Sequence, residues 1–214
     1  MKSEGSHSFK GLRLRNHTKG IFCLEDDWWG TMKTPSSLEL ILHLLNQWVP
    51  YRVPYIHRNA GTRSALEYYL SKWTQKSYRE YCILYLAFHG SPGEIHLGSG
   101  RGGKTAISLD WLEDQLQGKC KGRIIYVAGC GTMEIHGARL NSFLRRTGAL
   151  AVCGYVGWID WMRGAAFDLL VLAAMQDNAL TIAGAKAMKR RIEAEGCGLS
   201  RDLQFRMVIR ARCD

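Results

Sequence analysis

The sequence predicts an α/β protein, a three-layer sandwich in which helices cover both faces of a mostly parallel central sheet. Two observations support this fold class. Short apolar runs alternate with amphipathic segments along almost the whole chain, which indicates strands joined by right-handed helical crossovers. The runs are rich in Ile, Val, Leu and Tyr and lack polar alternation, which is typical of parallel strands buried on both faces.

The chain divides into predicted strands and helices in alternation. In chain order, the strands are 20–25, 51–57, 82–88, 93–97, 123–128, 149–155 and 205–210. The helices are 35–49, 63–78, 108–116, 138–146, 164–176 and 182–195. Pro54 weakens the second strand and places it near a sheet edge, and the short, polar fourth strand is typical of a hairpin arm.

Length and composition predict a single domain. The 214 residues are enough for one sizeable core, and residues 20–214 are predicted to form it. Residues 1–19 are polar and basic, which predicts a loose leader or an edge element outside that core.

The net charge of +10 is spread along the chain rather than gathered in one stripe, which favours solvated helix faces over direct binding of nucleic acid. Seven cysteines without a CxxC pair argue against a disulfide framework and against a zinc ribbon. Neither a signal peptide nor a membrane span is predicted. We therefore expect a cytoplasmic protein that needs no metal and no other cofactor.

Two apolar runs end in small-residue turns that each carry one reactive side chain. Residues 82–88 are followed by His89 and Gly90, and residues 123–128 are followed by a glycine-flanked Cys130. In open α/β sheets, ligands bind beyond the carboxyl ends of the strands. A thiol becomes a strong nucleophile when a nearby base or cation favours its thiolate, and imidazole is the usual partner.

This arrangement resembles the caspase-like (clan CD) cysteine peptidases, and among them the branch of separase and the CHAT proteases. The resemblance rests on Leu-Ala-Phe-His-Gly at 86–90, on Val-Ala-Gly-Cys-Gly-Thr at 127–132 and on the following segment 143–155. The histidine lies 41 positions before the cysteine (130 − 89), near the roughly 50 typical of caspases. The resemblance covers residues 78–175 and implies the caspase-like, or haemoglobinase, fold.

The resemblance also implies a cysteine endopeptidase. Cys130 would be the nucleophile, His89 the general acid/base, and the backbone N–H groups of Gly90 and Cys130 the oxyanion hole. His96 and His136 are rivals to His89 because both lie near the same segment. Burial in the core is the alternative interpretation for any cysteine. We predict it for Cys23, Cys82 and Cys153.

A basic residue before the scissile bond is the substrate preference that the resemblance implies. Asp160 lies where the separase and CHAT branch carries an acidic residue, and a carboxylate pairs well with a guanidinium. Its alternative role is to cap the following helix. Asp27 and Trp158, in strand-end loops, are further candidates for substrate contact, although a solvated loop suits Asp27 better. The expected partners are a protein or peptide substrate and an activating protein, in a context such as prokaryotic defence.

Two other functions fit parts of the sequence. Residues 98–105 match the phosphate-binding loop GxxxxGK[ST], in which Lys104 and Thr105 would contact phosphate and magnesium. The segment before this loop is short and polar, and the next predicted helix begins only at Ser108, so nucleotide binding is the weaker hypothesis. A catalytically inactive caspase-like interaction module is the other alternative, because tryptophan is favoured at interfaces. It would use the strand-end tryptophans Trp28, Trp29, Trp158 and Trp161.

Overall fold

The computed structural model describes residues 19–30, 33, 36–98 and 105–211 and has the predicted α/β architecture. Its strands are β1 (Ile21–Glu25), β2 (Tyr55–Asn59), β3 (Ile83–Ala87), β4 (His89–Ser91), β5 (Glu94–Leu97), β6 (Thr105–Ser108), β7 (Ile124–Val127), β8 (Ala151–Tyr155) and β9 (Phe205–Ile209). Its helices are α1 (Glu39–Gln47), α2 (Arg63–Trp73), α3 (Leu109–Leu116), α4 (Gly137–Thr147), α5 (Trp161–Ala174), α6 (Ile182–Glu195) and α7 (Cys197–Asp202).

Six strands form the central sheet in the order β2–β1–β3–β7–β8–β9, and β4, β5 and β6 form a smaller antiparallel sheet. Neighbouring strands of the central sheet run parallel, except for the last pair, β8 and β9. Every residue of β1, β3, β7 and β8 is buried, which explains their continuous apolar runs. The prediction of a mostly parallel sheet with β2 at its edge is confirmed.

Helices cover both faces of the central sheet. On one face, α1, α5 and α6 share a core with Ile21 and Cys23 of β1. On the other face, α2, α3 and α4 share a core with Phe22 and Leu24 of the same strand. The two cores alternate along each strand because successive side chains point to opposite faces of a sheet. The molecule therefore has three layers.

Polar side chains at the helix starts explain where several helices begin. Thr62, Ser108 and Thr181 each accept a hydrogen bond from the backbone N–H three residues later, which satisfies a donor that has no partner within the helix. Helix α4 ends at Gly148, whose φ of 78° lies in the left-handed region that glycine adopts without strain. The ends of α3 and α4 agree with the predicted helices 108–116 and 138–146 to within one residue.

Some element boundaries differ from the prediction. Strand β2 begins at Tyr55 rather than at residue 51, because the chain is still turning after α1. The sequence predicts no strand at Thr105–Ser108 and no helix at Cys197–Asp202, where the structure has β6 and α7. Residues 1–18 of the predicted leader lie outside the described residues. Among the described helices, none combines the length and the apolar character needed to cross a membrane.

The carboxyl ends of β1, β3 and β7 lie side by side and form the edge at which the candidate site is built. In the strand register, Glu25 is paired with Ala87, and Leu86 is paired with Val127. The chain therefore leaves β3 toward His89 beside the place where it leaves β7 toward Cys130. The loop after β1 completes this edge.

Candidate active site

Glycines bring the two strand-end turns into contact. A Cβ atom added to Gly129 would lie 2.9 Å from the carbonyl oxygen of Phe88 and 3.4 Å from the Cα of Gly90. A Cβ atom on Gly90 would lie 3.0 Å from the carbonyl oxygen of Cys130 and would overlap the methyl group of Thr132. Only a residue without a side chain lets the backbones approach this closely. The glycines next to the candidate catalytic residues are thus required by packing.

His89 and Cys130 line one cavity of about 210 Å³ at this edge of the sheet. The loop after β1, the start of α1, the turn after β7 and the segment from Tyr155 into α5 supply the rest of its wall. The other lining residues are Trp28, Trp29, Leu38, Ala128, Tyr155, Trp158, Ile159, Trp161, Gly164, Ala165 and Asp168. Most of these side chains are apolar or aromatic, as is typical of ligand pockets, and a few polar groups converge among them.

A backbone carbonyl orients the imidazole of His89. Its Nε2 lies 2.8 Å from the carbonyl oxygen of Trp28. A carbonyl oxygen only accepts, so Nε2 carries the proton of the neutral imidazole and Nδ1 is the basic nitrogen. The indole ring of Trp28 packs edge-on against the imidazole, with the ring centroids 5.3 Å apart. The loop after β1 thereby fixes both the tautomer and the orientation of His89.

The Cys130 sulfur lies against the backbone of Ile159. The Ile159 N–H donates to Sγ at 3.4 Å, and the thiol lies 3.8 Å from the Ile159 carbonyl oxygen. An N–H donor at this distance stabilises negative charge that develops on sulfur. Within the described residues, Cys130 and His89 share no hydrogen bond, so a reacting group would have to lie in the cavity beside both of them.

Three other cysteines are more deeply buried than Cys130. Cys23, Cys82 and Cys153 are buried, as predicted, whereas Cys130 is only partly buried. Burial raises the pKa of Cys82 to about 11, and it raises the pKa values of Cys23 and Cys153 well above the usual range. Thiols of this kind stay protonated and are inert as nucleophiles.

An acidic residue that the sequence analysis did not propose lines the same cavity. Asp168 of α5 is only 3% exposed, and its carboxylate accepts hydrogen bonds from the hydroxyl groups of Tyr85, Tyr126 and Tyr155. Burial raises its pKa to about 6, although the three hydrogen bonds act in the opposite direction. A single acidic residue within the apolar run 165–175 is the signal that points to it.

The model of a family of unknown function, DUF6642, matches residues 18–208. The chain belongs to this family. The matched range includes both His89 and Cys130, so the cavity lies within the part of the chain that defines the family. No curated protein matches the chain. Because the function of DUF6642 is unknown, membership assigns no activity.

The candidate substrate contacts lie in different places in this DUF6642 protein. Trp158 lines the cavity and is 91% exposed at its rim. Asp160 is exposed, does not line the cavity and caps α5, accepting a hydrogen bond from the N–H of Arg163 at 3.0 Å. Asp27 does not line the cavity and accepts a hydrogen bond from the N–H of Trp29 within its own loop. Of the three, the structure brings only Trp158 to the cavity of His89 and Cys130.

Neither rival histidine lines the cavity. His96 of β5 lies opposite His89 in the β4–β5 pairing, and its Nε2 is 2.9 Å from the hydroxyl of Ser91. The His136 side chain caps α4 by accepting a hydrogen bond from Ala138. The geometry therefore favours His89 over both as the partner of Cys130.

The phosphate-binding loop motif has an unsuitable context in the DUF6642 fold. Residues 99–104, including Lys104, lie outside the described residues. The flanking segments are the antiparallel strands β5 and β6, whereas a phosphate-binding loop connects a buried strand directly to a helix. In the described part of the chain, no group of three or more His, Cys, Asp or Glu side chains is placed to hold a metal ion.

Proposed function

We propose that this DUF6642 protein is a caspase-like cysteine endopeptidase in which Cys130 is the nucleophile and His89 is the general acid/base. One observation carries the proposal: both side chains line one cavity at the carboxyl ends of the adjacent strands β3 and β7. Among the described residues, Cys130 is the only cysteine in the cavity wall, and His89 has its basic nitrogen defined by the Trp28 carbonyl.

The proposed reaction begins when the Cys130 thiol gives its proton to Nδ1 of His89 and the thiolate attacks a peptide carbonyl carbon. The C–N bond of the tetrahedral intermediate then breaks, and Nδ1–H gives its proton to the departing amine. A water molecule next loses a proton to His89 and attacks the thioester carbonyl. The carboxylic acid leaves, and the proton returns to the Cys130 sulfur.

Backbone N–H groups are the proposed donors to the negative oxygen of the intermediate. The N–H of Cys130 donates no hydrogen bond to any described residue, so it is available for this role. Gly90, the second donor in the proposal, lies in the β4–β5 ladder beside the Cys130 carbonyl. Loss of one such donor typically lowers kcat by about 100- to 1,000-fold.

A basic side chain before the scissile bond is the proposed substrate feature, and the carboxylate in the cavity supports it. The apolar wall would contact the methylene groups of an arginine or lysine, and Asp168 would receive the charged group. Asp160, the residue that the sequence first suggests for this role, has an exposed capping position instead. The proposal of a basic preference therefore rests on Asp168.

The test is cleavage of short fluorogenic peptides that carry Arg, Lys, Asp or Leu before the cleaved bond. We expect turnover of the Arg and Lys peptides, reduced at least about 1,000-fold by Cys130→Ala and by His89→Ala. Cys197→Ala is the matched control because this cysteine is exposed and lies outside the cavity. It should leave turnover unchanged.

Four results would contradict parts of the proposal. Turnover that survives Cys130→Ala would remove the nucleophile assignment. Preference for the Asp peptide would exclude the basic preference but not the roles of Cys130 and His89. If Asp168→Asn cleaved the Arg peptide as fast as the wild type, Asp168 could not be the cause of a preference for arginine. Absence of turnover, together with failure of a peptidyl thiol-reactive probe to label Cys130, would exclude the peptidase.

A partner-binding module is the second candidate function, and one observation favours it. Trp158 and Trp29 are 91% and 54% exposed at the rim of the cavity, and buried tryptophans are frequent energetic centres of protein interfaces. An activating protein that covers this rim is compatible with the peptidase as well. Binding of a partner by Cys130→Ala, without cleavage by the wild-type protein, would support the interaction module alone.

A further inference from the structure

Glu25, the last residue of β1, is a buried carboxylate that four donors surround. It is 3% exposed. The indole Nε1 of Trp28 donates to it at 2.5 Å, the Ser37 hydroxyl at 2.6 Å and the Leu38 N–H at 2.8 Å. The Nε2 of His57 lies 2.7 Å away. Glu25 does not line the cavity, so substrate would not touch it.

Two of these donors belong to the cavity wall. Trp28 and Leu38 both line the cavity, and they come from the loop after β1 and from the residue that precedes α1. A single carboxylate thus holds together two segments that are separate in the sequence. Because Trp28 is in a loop, no strand ladder fixes its position. The hydrogen bond from its indole to Glu25 provides an anchor at the end of the sheet.

The anchored residue is the one that orients His89. The backbone carbonyl of Trp28 accepts the Nε2–H of His89, and its ring packs edge-on against the imidazole. A displacement of the Trp28 loop would move that carbonyl and release the Nε2–H. Nδ1 would then no longer be fixed as the basic nitrogen, which the proposed reaction requires.

The charge of Glu25 is maintained although the group is buried. Burial alone would raise its pKa, but the hydrogen bonds from His57, Ser37, Leu38 and Trp28 outweigh this effect and lower it. His57 is itself held between two carboxylates, with Nδ1 3.5 Å from Glu39. Four hydrogen-bond donors offset the cost of burying this carboxylate. A neutral side chain at position 25 would leave some of these donors without an acceptor.

We propose that Glu25 is a positioning residue of the active site, which fixes the basic nitrogen of His89 by anchoring the loop of Trp28. This inference rests on the proposed function only where it predicts the effect of Glu25 on cleavage. Its effect on the His89 imidazole is a property of the folded protein and is measurable without any substrate. The two readouts separate a failure of this inference from a failure of the peptidase assignment.

The experiment compares the full-length wild-type protein with Glu25→Gln and Trp28→Phe. Trp28→Phe removes the indole N–H together with part of the ring and keeps the backbone carbonyl, so it breaks the same hydrogen bond to Glu25 if Glu25→Gln does not fold. Nitrogen NMR of the imidazoles should show the Nε2–H form of His89 in the wild type and a mixture of both tautomers in the variants. On the Arg peptide, we expect kcat of Glu25→Gln to fall about 10- to 100-fold while its KM stays within about 2-fold, because Glu25 does not line the cavity.

The control is Glu113→Gln. Glu113 is also a buried carboxylate, but it bonds Arg139 and Arg146 between α3 and α4 and is not part of the cavity. It should lower stability without changing the His89 tautomer. A wild-type tautomer in folded Glu25→Gln or Trp28→Phe would overturn the inference, as would unchanged kcat in an active protein. Altered tautomers, with neither turnover nor labelling of Cys130 by the thiol-reactive probe in any protein, would uphold the inference and reject the peptidase.

Discussion

Three tyrosine hydroxyl groups surround the carboxyl group of Asp168, and no cation of the described residues forms an ion pair with it. The hydroxyls come from Tyr85 of β3, Tyr126 of β7 and Tyr155 of β8, so the cluster crosses the middle of the sheet. The buried thiols of Cys23 and Cys153 also interact electrostatically with this carboxyl group, and their raised pKa values keep them neutral. Burial therefore favours the protonated form of this acid more than exposure to water would, and a cation bound beside it would favour the ionised form.

This environment predicts a stability that depends on pH. The pKa of Asp168 is raised from 3.8 to about 6 in the folded protein, so the folded state binds the proton more tightly than the unfolded state. Its contribution is fully present below about pH 4 and is lost as the pH rises through about 6. The shift corresponds to about 3 kcal/mol. The difference in free energy of unfolding between wild type and Asp168→Asn should change by about this amount from pH 3.5 to 7.

Denaturant unfolding of both proteins across this range measures the difference. Other groups titrate in the same window, and the comparison cancels them because they are present in both proteins. A difference that stays constant between pH 3.5 and 7 would show that Asp168 is not buried as a titrating acid.

At the residue scale, the sequence predicted the groups that end strands and missed the one inside a helix. His89 and Cys130 each follow an apolar run directly, so the strand direction alone places them at the same edge of the sheet. Asp168 lies eight positions after Asp160 within an apolar helix, where its neighbours indicate only core packing. Its contact with three strands depends on how α5 lies on the sheet, which the sequence does not specify.

At the element scale, the start of α5 decides the position of Asp160. The tryptophan-rich loop predicts a later helix start, but Asp160 accepts the hydrogen bond from the Arg163 N–H and the helix begins at Trp161. Element types were predictable where periodicity was long, as in α6, whose bounds 182–195 agree with the prediction. Strand β6 was not predictable, because it is a strand through its pairing with β5, and its own residues carry no signal for that pairing.

The capping position predicts the effect of removing the Asp160 side chain. Asp160→Ala should lower the free energy of unfolding by about 1 kcal/mol, since the Arg163 N–H loses its acceptor. Cleavage of the Arg peptide should keep its wild-type KM, because Asp160 does not line the cavity. Thermal unfolding and peptide kinetics on one preparation measure both. If Asp160→Ala raised KM as much as Asp168→Asn does, Asp160 would have to contact the substrate after all.

At the scale of the whole molecule, the site depends on both helical layers. Leu38 belongs to the core that α1, α5 and α6 share, whereas Phe88, next to His89, belongs to the core of α2, α3 and α4. The central sheet separates the two cores, and each strand contributes side chains to both. The cavity lies at the carboxyl edge of the shared sheet, so its geometry requires that sheet to be folded.

A shared sheet predicts that the two cores unfold together. Leu42 of α1 and Leu66 of α2 are fully buried in opposite cores. Leu42→Ala and Leu66→Ala should each lower the free energy of unfolding by about 2 to 5 kcal/mol, through lost burial and a residual cavity. Because neither core can keep its strands without the other, both variants should shift one common transition, measured by far-UV circular dichroism and by tryptophan fluorescence. Two transitions, of which each variant moves only one, would instead show that the layers fold independently and that residues 20–214 are not a single cooperative unit.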